Sequence, residues 1–354
     1  MSLQSEALTP ALSASNRVLI VAHDEGQTHP LRQSLNASGF SAVEIITDAR
    51  KALPAFRLIQ PDVVLIDEQL DHMDAFTVMK QIAARIPAND LLTFVVLTEG
   101  PDRPAKRAGA EATFSVFYAD ATRPDDVAAL VRELANVRAR SLALARAAER
   151  REAESRKVEA ELARHLASFT EFKDHPGSGH VQRVGHLSAL IALVLGFPAA
   201  DVEIIRLAAP LHDVGKLGIP ESILLKEEPL TLEEMDLVKT HTTLGASILA
   251  GSGTRLFQMA EEIALYHHEN WDGTGYTPGL EGQAIPLVGR IVRVTDAFDS
   301  MTQSRPFAEE WRKDSAIEFI RGQAGHSFDP RVVDAFLEVQ AEAVESAAEI
   351  RGLI

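Results

Sequence analysis

Eight of the twelve histidines fall at positions 175, 180, 186, 212, 241, 267, 268 and 326, several of them beside acids or small residues. His212-Asp213 is followed by Gly215 and Lys216, His267-His268 by Glu269, and Asp296 lies in RVTDAFD. On a helix, His212 and Asp213 project about 100° apart and reach one pocket from two directions. Lys216 follows one turn later on the same face. The pair at 267–268 stands at an expected helix end, where the backbone can open to aim both rings inward. A single histidine is ordinarily a surface or packed residue, and a lone His-Asp pair says little. The conjunction of His180, His212, Asp213, His241, His267, His268 and Asp296 is different. It brings costly polar groups from separate segments towards one core, and buried charges need partners or metals.

These residue types suit phosphodiester hydrolysis. The diester is anionic and repels hydroxide; two divalent ions about 3.5–4 Å apart cancel that charge, polarise P–O and supply hydroxide near neutral pH. Such a pair wants a bridging carboxylate, for which Asp213 is the candidate, with imidazoles at its ends. Nitrogen and oxygen donors suit iron, manganese, zinc or cobalt better than calcium. The chain has no cysteine, which excludes a thiolate site, a thiolate nucleophile and a disulfide scaffold. Lys216 is placed to bind phosphate or to stabilise developing negative charge. Spacing alone thus reads as a metallohydrolase.

Three regions of different texture must position these groups. Residues 16–123 alternate apolar runs with helical patterns: RVLIVA (17–22), AVEII (42–46), VVLID (63–67), LLTFVVL (91–97) and FSVFY (114–118). Each run is followed by a polar break and a segment that can be helical, which predicts an α/β doubly wound domain with five parallel strands. Residues 1–15 read as a flexible tail. Pro124-Asp125-Asp126 is a helix start, and the Ala/Arg/Glu/Leu-rich stretch that follows to about His165 has no Gly or further Pro. Leu130, Val137 and Leu144 lie seven apart, and Val158, Leu162 and Leu166 resume the stripe. This predicts one long linker helix over 124–166 with an imperfect seam for a homodimer; a solvated linker is the alternative. Residues 167–354 repeat apolar residues at helical spacing and predict an all-α domain. Its main interruption is the loop WDGTGYTPGLEGQAIP (271–286).

The 354 residues carry 35 Lys+Arg and 51 Asp+Glu, a net charge of −16. That sign argues against a nucleic-acid footprint. No apolar run has the length of a membrane span, and the first residues lack a signal-peptide pattern, so a cytoplasmic protein is expected.

The segments LHDVGKLGIPESIL (211–224), HTTLGASIL (241–249), YHHENWDGTGYTPGLEGQAIPL (266–287), VGRIVRVTDAFDSMTQSRPF (288–307) and GHSFDP (325–330) resemble the HD-GYP domain, a branch of the HD phosphohydrolases, from about 168 to 340. The resemblance implies hydrolysis of cyclic di-GMP to linear pGpG at a His/Asp-held centre of two divalent metals, commonly iron or manganese. It assigns His180, His212, Asp213 and Asp296 to one ion. Asp213 bridges to the second, whose other ligands are His241, His267 and His268. It makes Lys216 the phosphate-side lysine, Arg305 a phosphate-contacting arginine, Tyr276 a substrate residue of the motif loop, and Asp299 a residue that orients a ligand. In some members a Glu four residues before the first ligand holds a third metal; Pro176 stands there, so two ions and pGpG are expected. The motif tripeptide reads Gly275-Tyr276-Thr277, without the usual proline at its third place, and a frequent Lys is replaced by Ala308. These departures are what a non-hydrolysing cyclic di-GMP sensor or an interaction scaffold would show; an HD hydrolase acting on another nucleotide is a third reading. His175, His186 and His326 are read as structural.

Residues 16–135 resemble a response-regulator receiver, with Asp67 at the phosphoacceptor position and Thr98 at the switch hydroxyl. The acidic pair expected after the first strand reads Ala22-His23, with Asp24 alone nearby. The lysine position falls at or near Val116, and there is no Lys between 107 and 156. Receiver phosphorylation needs Mg²⁺ held by those acids and the Lys beside the phosphoryl group. Phosphorylation of Asp67 is one reading; the one expected is a degenerate receiver that dimerises or binds a histidine kinase or other signalling protein.

Overall fold

The computed structural model describes residues 16–86, 92–99, 115–174, 177–226, 228–303 and 310–352. The chain divides into two units, Met1–Glu152 and Ala153–Ile354. In the first, β1 (Arg17–Val21), β2 (Ala42–Ile46), β3 (Val63–Asp67), β4 (Thr93–Thr98) and β5 (Ser115–Asp120) form one parallel sheet in the order β2-β1-β3-β4-β5. The five apolar runs supply these strands. Helices α1 (Glu25–Ala37), α2 (Ala52–Ile59) and α3 (Ala75–Ala83) cover the faces. Val18, Ile20, Val63 and Leu65 meet Leu31 and Leu35 of α1. Leu19, Val21, Val64 and Ile66 meet Val78, Met79 and Ile82 of α3 on the other side. In β1, β3 and β4, burial on both faces explains why the runs are continuously apolar rather than alternating.

Helix α4 runs without interruption from Pro124 to Asp174, 51 residues. Its length follows from strong helix formers and from acids in the first turn that complement the helix dipole. Its start is part of the first core: Val127, Ala128, Val131 and Ala135 close the α1 side of the sheet. Its far end passes the expected stop near His165, and Ala163 and Ala167 enter the core of the second unit. Between these ends Val137, Leu144, Val158 and Leu162 are 50%, 71%, 63% and 49% exposed.

The second unit is helical: α5 (His180–Val194), α6 (Ala199–Ala208), α7 (Glu221–Leu224), α8 (Leu232–Lys239), α9 (His241–Leu249), α10 (Arg255–Tyr266), α11 (Leu287–Thr302), α12 (Lys313–Gly322) and α13 (Pro330–Gly352). Val184 and Ile191 of α5, Ile205 of α6, Ile263 of α10, Ile291 of α11 and Phe336 of α13 share one core. Among the described residues no helix is long and apolar enough to cross a membrane.

One local expectation is corrected. His212 and Asp213 do not lie on a regular α-helix; they stand between two 3-10 turns, Ala209–Leu211 and Val214–Gly218. Gly215 explains the tight course, because a Cβ there would overlap the carbonyl oxygen of His241. The turn is pressed against the start of α9, an approach only glycine permits. Residues three apart eclipse in a 3-10 turn. Lys216 therefore sits over Asp213, with Nζ 2.7 Å from Oδ2.

Candidate metal centre

Five segments converge on one pocket. His180 opens α5, His212 and Asp213 come from the 3-10 junction, His241 opens α9, His267 and His268 follow α10, and Asp296 lies in α11. The donors fall into two groups. Asp213, His241, His267 and His268 form one; His180, His212 and Asp296 form the other; within each group one ligand atom per residue lies within 4.8 Å of all the rest. Asp213 stands at the join. Its Oδ2 is 3.2 Å from His212 Nε2, while its Oδ1 is 3.3 Å from His241 Nε2 and 3.6 Å from His267 Nε2.

The chain sets the tautomers itself. His212 Nδ1 donates to the Ala209 carbonyl at 2.9 Å, His241 Nδ1 to Val238 at 2.7 Å, and His267 Nδ1 to Ala264 at 3.0 Å. Each bond uses a carbonyl three residues back and turns Nε2 to the pocket, where it offers a lone pair in the neutral ring. His180 is held otherwise: Nδ1 donates to Asp299 Oδ2 at 2.7 Å. Asp299 in turn accepts from Arg183 Nε at 2.6 Å and Nη2 at 2.9 Å. The ring of His268 stacks on Tyr276, 4.8 Å between centroids and 21° between planes. Gly275 lets the loop turn this tightly, since a Cβ would strike the Asn270 amide and the His268 carbonyl.

Electrostatics prepare the donors. Burial pushes His241 down to about 4 and also lowers His267 and His268, so all three are neutral near pH 7. Burial opposes charge on His212 as well, but Asp213 and Asp296 outweigh it and raise that imidazole to about 9. Burial likewise opposes charge on Asp213, yet Lys216 and His212 hold it well below the usual carboxylate range. Asp296 is held low by His212 and His180 against its own burial. Burial lifts the Tyr276 phenol to about 12.

These residues fit divalent cations. His212 Nε2 and Asp213 Oδ1 are buried and make no hydrogen bond. Orphaned buried atoms of this kind are costly unless something else binds them. Neutral imidazoles beside ionised carboxylates are the donors borderline divalent metals take. The donor separations match a set arranged around one ion at bond lengths of about 2.0–2.2 Å.

Of the other sequence-read residues, Lys216 and Tyr276 stand at the pocket and Asp299 lies behind His180. Arg305, Pro176, Ala308 and His175 lie outside the described residues. His186 is exposed. The His326 and Ser327 carbonyls receive the amides of Asp272 and Trp271 at 3.0 and 3.3 Å, which braces the loop. Asp67 ends β3 in the first unit, where its Oδ1 accepts from the Gln69 amide at 3.2 Å.

Several residues escaped the sequence reading. Glu171 near the end of α4 accepts the His180 backbone N–H at 2.9 Å, and Lys173 Nζ donates to the carbonyls of Leu217 and Ile219 at 2.9 and 2.7 Å. The last turn of α4 thus grips two of the five donor-bearing segments. Arg183 was legible only as three residues after His180. Lys239 Nζ lies 5.8 Å from the Tyr276 ring centre, and Arg293 donates to Asn270 of the loop.

An all-helical domain with clustered histidines and aspartates, facing a lysine, defines the HD-type, metal-dependent hydrolases. Comparison with known proteins agrees: residues 164–332 match the family described as HD domain. The chain is 38% identical over 290 residues to the cyclic di-GMP phosphodiesterase response regulator RpfG of Xanthomonas campestris pv. campestris, covering 79% of this chain and 76% of that one. It is 34% identical over 344 residues to a cyclic di-GMP phosphodiesterase of Thermotoga maritima, covering 93% and 91%. A 3'3'-cGAMP-specific phosphodiesterase 2 of Vibrio cholerae is 37% identical over 195 residues, 55% of this chain and 37% of that one. The chain belongs to the HD-GYP phosphodiesterases, in the arrangement that carries a receiver domain ahead of the HD domain.

Proposed function

We propose that this chain hydrolyses cyclic di-GMP to linear pGpG with two divalent ions, iron or manganese. One water adds across one P–O3′ bond and leaves a 5′-phosphate and a free 3′-hydroxyl. The observation that carries the reading is the pair of donor groups meeting at Asp213, whose two carboxylate oxygens face different imidazoles. In this reading His180, His212, Asp213 and Asp296 hold one ion, and Asp213, His241, His267 and His268 the other. The ions supply charge neutralisation of the diester and a hydroxide-strength nucleophile near neutral pH. Asp299, braced by Arg183, fixes the His180 ring. Lys216 offers its ammonium to a phosphate oxygen beside Asp213. Tyr276 closes one side of the pocket and holds His268 by stacking. The names of the relatives support cyclic di-GMP as substrate and also make 3'3'-cGAMP the competitor to test.

The exposed stripe on α4 supports a homodimer, since Val137, Leu144 and Val158 keep heptad phase and remain unburied. The receiver-like domain then serves as a docking surface for a signalling partner such as a histidine kinase.

Metal analysis of the isolated protein, followed by anaerobic assay with cyclic di-GMP and 3'3'-cGAMP, tests the proposal. Two ions per chain and pGpG as product are expected; a full metal complement with no turnover defeats it. Asp213→Ala should lose both ions and activity, and unchanged metal content there would remove the bridge.

A further inference from the structure

Arg293 is a half-buried cation beside the pocket that the reading so far leaves without a role. It lies on α11, one turn before Asp296. Its Nε and Nη2 both donate to Asn270 Oδ1, at 3.2 and 3.0 Å, and the Phe328 ring centre is 5.5 Å from its Cζ. Asn270 and Phe328 are both uncharged, and among the described residues no carboxylate pairs with Arg293. The neighbouring arginines differ: Arg183 is paired with Asp299 and Arg290 with Asp329. Removing a guanidinium from water without a counter-ion is expensive. Burial weakens the hold of Arg293 on its proton, and its charge acts on the Tyr276 phenol and the Asp296 carboxylate. It thus lies within electrostatic reach of the ring that closes the pocket and of a metal-donor carboxylate.

A cyclic dinucleotide brings two phosphodiesters into the site. The donor groups and Lys216 account for the one that is cleaved. The second carries the same charge and also needs a cation. We propose that Arg293 binds the phosphate that is not being cleaved, and so selects cyclic dinucleotides over simple diesters. This rests on the cyclic-dinucleotide reading above. Asn270 holds one edge of the guanidinium and Phe328 covers it, so the planar fork is oriented before substrate arrives, and Nη1 has no hydrogen-bond partner among the described residues. A neutral base edge would leave the charge uncompensated, whereas a phosphate oxygen neutralises it.

The test uses the full-length, metal-loaded protein with Arg293→Gln, Arg293→Lys and Asn270→Ala. Affinity and KM for cyclic di-GMP are compared with kcat/KM for bis(p-nitrophenyl) phosphate, a diester with no second phosphate. A charge-assisted hydrogen bond of this kind corresponds to roughly a 10- to 100-fold change. R293Q should weaken cyclic di-GMP by that factor, keep its metal, and cleave the simple diester within about twofold of wild type. R293K should recover part of the loss, and N270A, which keeps the charge, should lose less than R293Q. No loss in R293Q, an equal loss on both substrates, or an equal loss in N270A would each overturn the assignment, the last because Arg293 would then act only through the loop. A wild-type protein that cleaves the simple diester but neither binds nor cleaves cyclic di-GMP refutes the substrate reading, and the role of Arg293 with it. One that binds without cleaving refutes only the hydrolysis, because the affinity ratios still decide the role.

Discussion

His180 depends on a carboxylate far away in sequence. Asp299 fixes its ring and Arg183 fixes Asp299, so Asp299→Asn should cut metal affinity by about 10- to 100-fold while the fold persists. Metal titration alongside circular dichroism checks this; unchanged affinity would show that the carboxylate does not orient the ring. The charges around His212 give a pH signature. Its metal-free value is raised to about 9. Between the unfolded value of about 6.5 and 9 the folded state therefore binds more protons than the unfolded one. The stability from this group is present in full below about 6.5 and is lost as pH rises through 9. His241, lowered to about 4, works in the opposite sense: the unfolded chain takes up its proton first, so stability falls as pH drops below about 6.5. A cation must displace the His212 proton. Metal binding at pH 8 should then release about one proton, read from the dependence of calorimetric enthalpy on the buffer, and no release would contradict the charge state assigned to His212.

At the scale of the element, the histidines and aspartates that converge were legible in the sequence because each sits in a short motif with fixed local spacing. The strands were legible for a similar reason, since Val63–Asp67 and its neighbours need only to be apolar and short. The 3-10 course at His212–Asp213 was not legible, because it comes from Gly215 packing against α9, a contact made 26 residues later in the chain at His241. The grips of Glu171 and Lys173, and the place of Arg293 beside the loop, also join positions that no local pattern links. The long helix starts at Pro124 as its sequence implies, but it runs on to Asp174, past the expected stop. Helix propensity is uniform along it, while burial of Val131 and Ala163 shows where each core takes hold. The exposed middle carries its own prediction. Leu144→Glu with Val158→Glu should convert a dimer to a monomer in light scattering without changing metal content. A wild-type monomer, or a dimer that survives both changes, would refute the seam.

At the scale of the whole molecule the question is what the receiver domain can sense. The lysine position is expected near Val116; β5 runs on to Asp120, which is registered opposite Thr98. An acid therefore occupies the strand end. Its Oδ1 accepts from the Thr122 amide at 2.9 Å, while Asp24 caps α1 by accepting from Gly26 at 3.1 Å and His23 pairs with Asp71 at 3.1 Å. These side chains are committed elsewhere. Beryllofluoride with Mg²⁺ should consequently leave the phosphodiesterase rate within about twofold, since among the described residues no lysine pairs with Asp67; a larger response would restore Asp67 as a switch. Helix α4 has a further consequence. Because Val127 and Val131 wall one core and Ala163 and Ala167 the other, neither half owns a tidy seam at which to be severed. A fragment halted at 123 would be left with an open flank, and one begun at 167 would lack the Ala163 plug. Scissors applied near Glu152 would spare both.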